Sequence, residues 1–439
     1  MKSLLNSVII NMIKQDDLSG RQFLIKSNQK KQFSHLGVLV PAFKNNKCLR
    51  CGQSEFYTLP TQVRQCTACL ELKAVFETDW LLRVPTTNLK KVTTSSLTWE
   101  GSLTKAQQKI SDQLTSHLKK KEDTLIHAVT GAGKTEMLFA SIAFALQEGM
   151  RVVLCCPRVD VVDELFERLS LAFKTTSIGK YHSESHPINS NYPLIICTTH
   201  QLMKFYKTFD VAIVDEVDAF PFESSEILHY ALKQAIKPNG QKVLLTATPS
   251  QNLLNQVKSK QLNYLLLNKR YHGHRLPVPK CHLLFQKQPI GRFLLDFRLK
   301  KLLNRLIKAQ KPILIFVDKI ANLPNLKIKL AHFYPSLIIE TVSSKDPCRH
   351  QKVEWFRAGK VDVLLTTTIL ERGVTFEDVQ VIVLNADDAI FKTSSLVQIA
   401  GRAGRKKDFP KGEVHFFYHH YTTAIQQCLK QIKRMNKWD

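Results

Sequence analysis

The 439-residue sequence predicts an α/β protein: two doubly wound parallel-sheet lobes in tandem, behind a small four-cysteine zinc module. Three observations carry this. Short, continuous apolar runs alternate with helical periodicity over residues 96–270 and again over 271–439, as strands covered on both faces by helices require. Two close cysteine pairs stand ahead of both lobes. Lys and Arg number 63 against 37 Asp and Glu, a net charge of +26 that favours a polyanionic partner, either nucleic acid or an anionic membrane face. A hydrophobic content of 44% provides for packed cores and argues against disorder.

Residues 1–95 are basic and short on helical pattern. The apolar stretch at 4–13 is broken by Asn6, Ser7 and Asn11 and lacks a small-residue cleavage site, so a secretory signal is not expected. Nowhere do about eighteen apolar residues run together, so neither is a membrane span. Of the 10 cysteines, Cys48-Leu49-Arg50-Cys51-Gly52 and Cys66-Thr67-Ala68-Cys69 form two knuckles. Two residues between thiolates let one turn offer both sulfurs to one ion, and four thiolates suit structural Zn²⁺. Without a signal, the pattern implies a reducing, cytoplasmic setting and a metal site over about residues 44–73, not disulfides. Lys47, Arg50 and Arg64 either touch nucleic acid or form a solvated basic surface. The polar run at 86–96 reads as a linker.

The first lobe, residues 96–270, is centred on Ala128-Val129-Thr130-Gly131-Ala132-Gly133-Lys134-Thr135, which follows an apolar stretch and opens a helix over 136–147 closed by Gly149. Gly131, Ala132 and Gly133 let the backbone N–H groups curl around phosphate oxygens beside a helix N-terminus. Lys134 then reaches the β- and γ-phosphates of ATP, and the Thr135 hydroxyl ligates Mg²⁺. Ala128 stands where the strict pattern has glycine. Strands are expected at 152–156, 194–197, 211–214 and 243–245, and a helix at 161–173. The strand at 211–214 delivers Asp215-Glu216-Val217-Asp218 at its carboxyl end, where ligands of doubly wound folds bind. Asp215 can hold the magnesium ion and Glu216 can polarise the attacking water. Cys155 and Cys156 read as core.

Tyr271-His272-Gly273-His274 with Pro277 and Pro279 connects the lobes. The second lobe, residues 271–439, has expected strands at 313–317, 363–365 and 381–384. The Phe416-Phe417-Tyr418-His419-His420 cluster reads as the end of a core strand. A closing helix over 424–435 sets Ile425, Cys428, Leu429, Ile432 and Met435 on one stripe.

From residue 99 onward the chain resembles the superfamily 2 helicases and translocases, whose two RecA-like domains clamp ATP between them. Residues 99–107 resemble the Q motif, which implies that Gln107 reads adenine with Trp99 nearby. Pro157-Arg158 and Thr198-Thr199-His200 resemble strand-contacting motifs, and Thr246-Ala247-Thr248 the motif that couples hydrolysis to movement. Thr366-Thr367-Thr368 with Glu371-Arg372-Gly373-Val374 resembles motif V. Gln398-Ile399-Ala400-Gly401-Arg402-Ala403-Gly404-Arg405 resembles motif VI. The resemblance implies nucleic-acid contacts from Arg158, Thr198 and Thr367, and a coupling role for Gln398. Two arginines three apart share a helix face, so Arg402 and Arg405 are expected to supply arginine-finger charge to the transferring phosphoryl.

With its cysteine module ahead of the Q motif, the chain is similar over nearly its whole length to the ComFA family of competence proteins. That implies a DNA-stimulated ATPase pulling single-stranded DNA into competent cells, peripheral at the inner face of the membrane. A ComFC-type protein and the membrane DNA channel are its implied partners. The alternatives are a PriA-like replication-restart helicase, whose chains are longer, and an ATP-gated clamp that does not translocate.

Overall fold

The computed structural model describes residues 15–70, 72–185, 191–284, 296–405 and 408–437; the apolar stretch at 4–13 lies outside them. The chain divides into two compact units, Met1–His127 with Thr135–Leu266, and Ala128–Lys134 with Leu267–Asp439.

In the first unit the central sheet runs, in spatial order, Ile178–Tyr181, Leu194–Thr198, Val152–Cys156, Phe209–Val214, Ile236–Thr246, Thr124–Ala128 and Asn263–Leu267. The pairs from Ile178–Tyr181 through Thr124–Ala128 are parallel. Every residue of Val152–Cys156 and Leu194–Thr198 is buried, which explains their unbroken apolar runs. The strand Ile236–Thr246 is longer than its apolar pattern suggests. Its first half, with Lys237, Pro238 and Gly240, pairs in register with Phe209 through Ile236, and a register shift separates that pairing from the regular one at Val211↔Gln241. The helix Val159–Ala172 buries Val161, Val162, Leu165 and Leu169 at the expected spacing. Lys105–Lys119 begins with a capping box, in which the Gln107 N–H donates to Thr104 Oγ1 at 3.3 Å and Gln107 Oε1 accepts the Thr104 N–H at 2.9 Å.

The amino-terminal region packs onto this unit instead of standing apart. It carries an antiparallel sheet with Trp80–Arg83 between Gln22–Ile25 and Val38–Pro41. The polar run read as a linker is pinned down: the Thr87 N–H donates to Ser19 Oγ at 2.8 Å and the Val92 N–H to the Gln147 carbonyl at 2.9 Å, and just beyond it the Thr98 N–H donates to the Ala172 carbonyl at 2.8 Å. Its polarity satisfies fixed partners and does not signal slack.

The second unit's sheet runs Lys280–Leu283, Val414–Tyr418, Gln380–Val383, Ile313–Phe316, Val363–Thr366 and Ile339–Val342, parallel throughout. Leu299, Leu303, Leu306, Leu326 and Leu330 pack on it, and the closing helix Thr423–Met435 buries Ile425, Cys428, Ile432 and Met435. Val414–Tyr418 is buried throughout, so the aromatic cluster ends a core strand as expected.

Candidate functional site

The loops that carry Arg158, Thr198, Asp215 and Thr246 lie at carboxyl ends of parallel strands, so they share one edge of the sheet. Arg158 follows Val152–Cys156, Thr198 ends its own strand, Asp215 follows Phe209–Val214, and Thr246 ends Ile236–Thr246.

Asp215 begins where its N–H donates to the Cys155 carbonyl at 2.8 Å, and its Oδ1 accepts the Glu216 N–H at 2.8 Å. Glu216 has φ +55, a left-handed conformation uncommon for a carboxylate side chain and typical of constrained functional turns. Asp218, a residue whose role the sequence left unassigned, is the most deeply engaged carboxylate of the four-residue run. It is 4% exposed and accepts the Thr246 hydroxyl at 2.7 Å on Oδ1 and the Thr248 hydroxyl on Oδ2. The carboxylate run and the Thr246-Ala247-Thr248 turn are thereby one hydrogen-bonded piece. His127 adds a further tie, its Nε2 lying 3.1 Å from the Ala247 carbonyl.

Gln107 is buried, with its carboxamide oxygen fixed by the capping box. Trp99 packs edge-on against Phe139 with ring centroids 5.4 Å apart. Arg158 forms a two-point pair with Asp160, at 3.3 and 3.1 Å, so its charge is already engaged by a carboxylate. Thr198 is buried as well, and the thiols of Cys155, Cys156 and Cys197 are pushed up by burial, as inert core groups are.

The phosphate-loop residues Ala128–Lys134 group with the second unit, whereas Thr135 belongs to the first. Gly131 and Gly133 have φ +77 and +70, left-handed values that a side chain would strain. Lys134 is half-buried and Thr135 buried. The following helix begins as a 3₁₀ turn, Glu136–Leu138, before the α-helix Phe139–Gln147.

In the second unit Gln398 is buried in the helix Thr393–Ala400. That helix stops before the two arginines, correcting the expectation that they share a helical face. Gly401 caps it and Gly404 turns with φ +61, so Arg402 and Arg405 stand on an irregular turn. Arg402 Nε donates to the Glu371 carbonyl and Arg405 Nη1 to the Val374 carbonyl, each at 3.0 Å. The turn therefore holds the Glu371-Arg372-Gly373-Val374 loop. Thr367 is buried beside Thr366, whose hydroxyl donates to the Val342 carbonyl at 3.1 Å.

The four cysteines converge as predicted. Their sulfurs lie within 4.8 Å of one another, with Cys48–Cys69 at 3.8 Å and Cys51–Cys66 at 3.5 Å. Bonds of about 2.3 Å to a tetrahedral Zn²⁺ put sulfurs about 3.8 Å apart, so the set fits a closed structural site. Arg50 is not surface charge: it is 8% exposed and donates through Nε to Cys69 Sγ at 3.3 Å and through Nη2 to the Cys69 carbonyl at 3.0 Å. Arg64 is paired with Glu77 at 2.7 Å. Gly52, at φ +78, also lies so close to Tyr230 that a Cβ would sit 2.6 Å from its ring. The cysteines belong to one apolar cluster with Val153, Cys155, Val214 and Phe222, which also includes Val217 of the carboxylate run.

The comparisons with known proteins agree with this geometry. Residues 104–256 match the DEAD/DEAH box helicase family and residues 298–407 the helicase conserved C-terminal domain. Yeast (S. cerevisiae) Dbp5 bound to RNA and ADP BeF3 superposes with a TM-score of 0.55 at 16% identity, covering 76% of this chain and 92% of that one. It supports two RecA-like lobes and nothing finer. Transcription-repair-coupling factor from Helicobacter pylori is 26% identical over 76% of this chain and 32% of its own length. Competence protein ComFA from Bacillus subtilis is 37% identical over 89% of this chain and 86% of its own. ComFA from Streptococcus pneumoniae is 38% identical over 96% of this chain and 98% of its own. Helicase motifs in order on RecA-like sheets, and near full-length identity of this degree, mean that the chain belongs to the ComFA family of ATP-hydrolysing helicases and translocases.

Proposed function

We propose that the chain is an ATP-driven motor that draws single-stranded DNA into the cell during natural competence. The observation that carries the reading is that the carboxylate run, Arg158 and Thr198 share one sheet edge, in a chain 38% identical to a competence protein over 96% of its length. Gln107 reads the adenine, and Gly131, Ala132, Gly133 and Lys134 take the phosphates. Thr135 and Asp215 hold Mg²⁺, which neutralises phosphate charge when bound. Glu216 orients and polarises water, and Arg402 and Arg405 meet the charge that develops on the transferring phosphoryl. Gln398 couples this chemistry to movement, while Arg158, Thr198 and Thr367 grip the strand. Cys48, Cys51, Cys66 and Cys69 hold Zn²⁺. Among the described residues no helix is long and apolar enough to cross a membrane, so a place at the inner membrane face rests on the proposed partners, a ComFC-type protein and the DNA channel.

ATP hydrolysis measured with single-stranded DNA, duplex DNA or RNA at fixed salt tests the motor. Stimulation should be greatest with single-stranded DNA and fall steeply as salt rises. Equal stimulation by RNA would sink the DNA assignment, and hydrolysis without displacement of a bound roadblock would leave a clamp. Import itself is tested by labelled DNA becoming protected inside cells that carry the Lys134→Ala variant: it should cease.

A further inference from the structure

Arg270 follows the strand Asn263–Leu267 and is 2% exposed. Its Nε donates to the Thr130 carbonyl at 3.2 Å, Nη2 to the Gly401 carbonyl at 2.8 Å, and both Nη atoms to the Ala403 carbonyl at 3.1 Å. Nη1 also donates to the Gly404 carbonyl. Every partner is a backbone oxygen, and among the described residues no carboxylate pairs with it. Burial, and then the like charge of Arg405, lowers its pKa to about 10, which leaves it cationic at neutral pH.

A buried cation is expensive unless something repays its desolvation. Carbonyl dipoles do so in part, but among the described residues no carboxylate completes the set. The residues around Arg270 are those of an anion site. A Cβ on Gly131, inside the phosphate loop, would lie 3.6 Å from both Arg270 Nε and Arg405 Cγ. The neighbouring backbone runs along the same loop: the Val129 N–H donates to the Leu267 carbonyl at 3.0 Å and the Tyr271 N–H to the Gly131 carbonyl at 3.1 Å. All of these residues lie within the second unit as the chain divides.

We propose that Arg270 is a positioning residue that couples phosphate occupancy of the loop to the turn carrying Arg402 and Arg405. One planar guanidinium holds a carbonyl of the loop and three carbonyls of the turn, so displacement of either is transmitted to the other. Phosphate charge in the loop then supplies the counter-ion that Arg270 lacks. Lysine keeps the charge but cannot span four carbonyls with a fixed fork. The inference rests on the assignment of Arg402 and Arg405 to the transferring phosphoryl.

The test is ATP turnover of the full chain with single-stranded DNA for Arg270→Lys, Arg270→Gln, Arg405→Ala and the Arg270→Lys/Arg405→Ala double variant, with folding checked by circular dichroism. Arg270→Lys should lower kcat at least about tenfold with KM for ATP within about threefold, the split expected when a transition-state contact is lost. In the Arg405→Ala background the same change should add less than about twofold, because residues acting through one another are not additive. Arg270→Gln, which retains amide donors without charge, should be slow as well. Turnover near wild type in folded Arg270→Lys would overturn this inference alone, as would losses that multiply in the double variant. Wild-type turnover in Arg405→Ala would sink it together with the arginine-finger assignment.

Discussion

Asp218 offers the most direct probe of how the nucleotide edge is held together. It is 4% exposed and accepts hydroxyls from Thr246 and Thr248, themselves 0% and 8% exposed. Hydrogen bonds to a charged partner contribute about 1.5–3 kcal/mol each, and a buried hydroxyl left without its acceptor costs about 1–3 kcal/mol. Asp218→Ala leaves two such hydroxyls without their acceptor at once, which places its cost at about 3–5 kcal/mol. With a urea m-value of about 3 kcal/mol/M, that lowers the midpoint of the first unit by about 1–1.7 M. Asp218→Asn keeps one acceptor oxygen and should lose about 1–2 kcal/mol. Adding Thr248→Val to Asp218→Ala removes an orphaned hydroxyl and should restore part of the loss. Urea unfolding followed by circular dichroism measures all three. An unchanged midpoint in Asp218→Ala, or a double variant weaker than the single by the full cost of Thr248→Val alone, would refute the reasoning. Because these bonds tie the carboxylate run to the Thr246-Ala247-Thr248 turn, Asp218→Asn should also impair translocation more than hydrolysis.

Lys134→Ala should abolish ATP hydrolysis while leaving the thermal transition in place, since the lysine is only half-buried and is not one of the core side chains; a phosphate-release assay checks it. Elemental analysis should find one zinc per chain, and Cys66→Ser should lose it. Because the cysteines share a core with Val153, Val214 and Phe222, calorimetry should show the whole first unit melting earlier, not a detached module. In the second unit burial is the main cause that lowers the His415 pKa to about 4, with Glu413 at 2.9 Å opposing and the neighbouring His282 and Lys280 adding to the fall. A folded pKa below the unfolded value of about 6.5 means the unfolded chain binds the extra proton first. Its stabilisation is therefore full above about pH 6.5 and is lost as pH falls toward 4, and His415→Gln should flatten the melting temperature of that unit over this window.

The sheets were legible because their strands are buried on both faces: Val152–Cys156 and Leu194–Thr198 have no exposed residue to interrupt the apolar run. The antiparallel sheet of the amino-terminal region was not, because Gln22–Ile25 and Val38–Pro41 are only four residues long and partly exposed. The chemistry of the carboxylate run could be read from its place after a strand, yet spacing does not say which acid turns inward to bind Thr246 and Thr248. Periodicity carried the helix ending at Ala400 too far, into Arg402 and Arg405. Gly401 and Gly404 were the available signal, since glycine just past a helical stripe is a stop.

Three buried arginines separate scaffold from mechanism by what answers their charge. Arg50, 8% exposed, donates to a sulfur of the four-thiolate cluster, and thiolates holding one divalent ion leave negative charge for it to offset. Arg151, 1% exposed, has its pKa lowered by burial with the Asp210 charge opposing, and it donates to Asn191 Oδ1 at 2.7 Å, the Tyr192 carbonyl at 3.1 Å and the Thr87 carbonyl at 3.3 Å, tying the pinned run to the sheet. Both are answered by groups of the structural scaffold, and their work is to hold one segment on another. Arg270 is as deeply buried but is answered only by carbonyls, beside a second arginine and the loop proposed to take the phosphates. Folding alone would be served as well by an apolar side chain of similar volume. A charge retained there, uncompensated until an anion arrives, is what distinguishes a group that senses the nucleotide from one that merely fixes the fold.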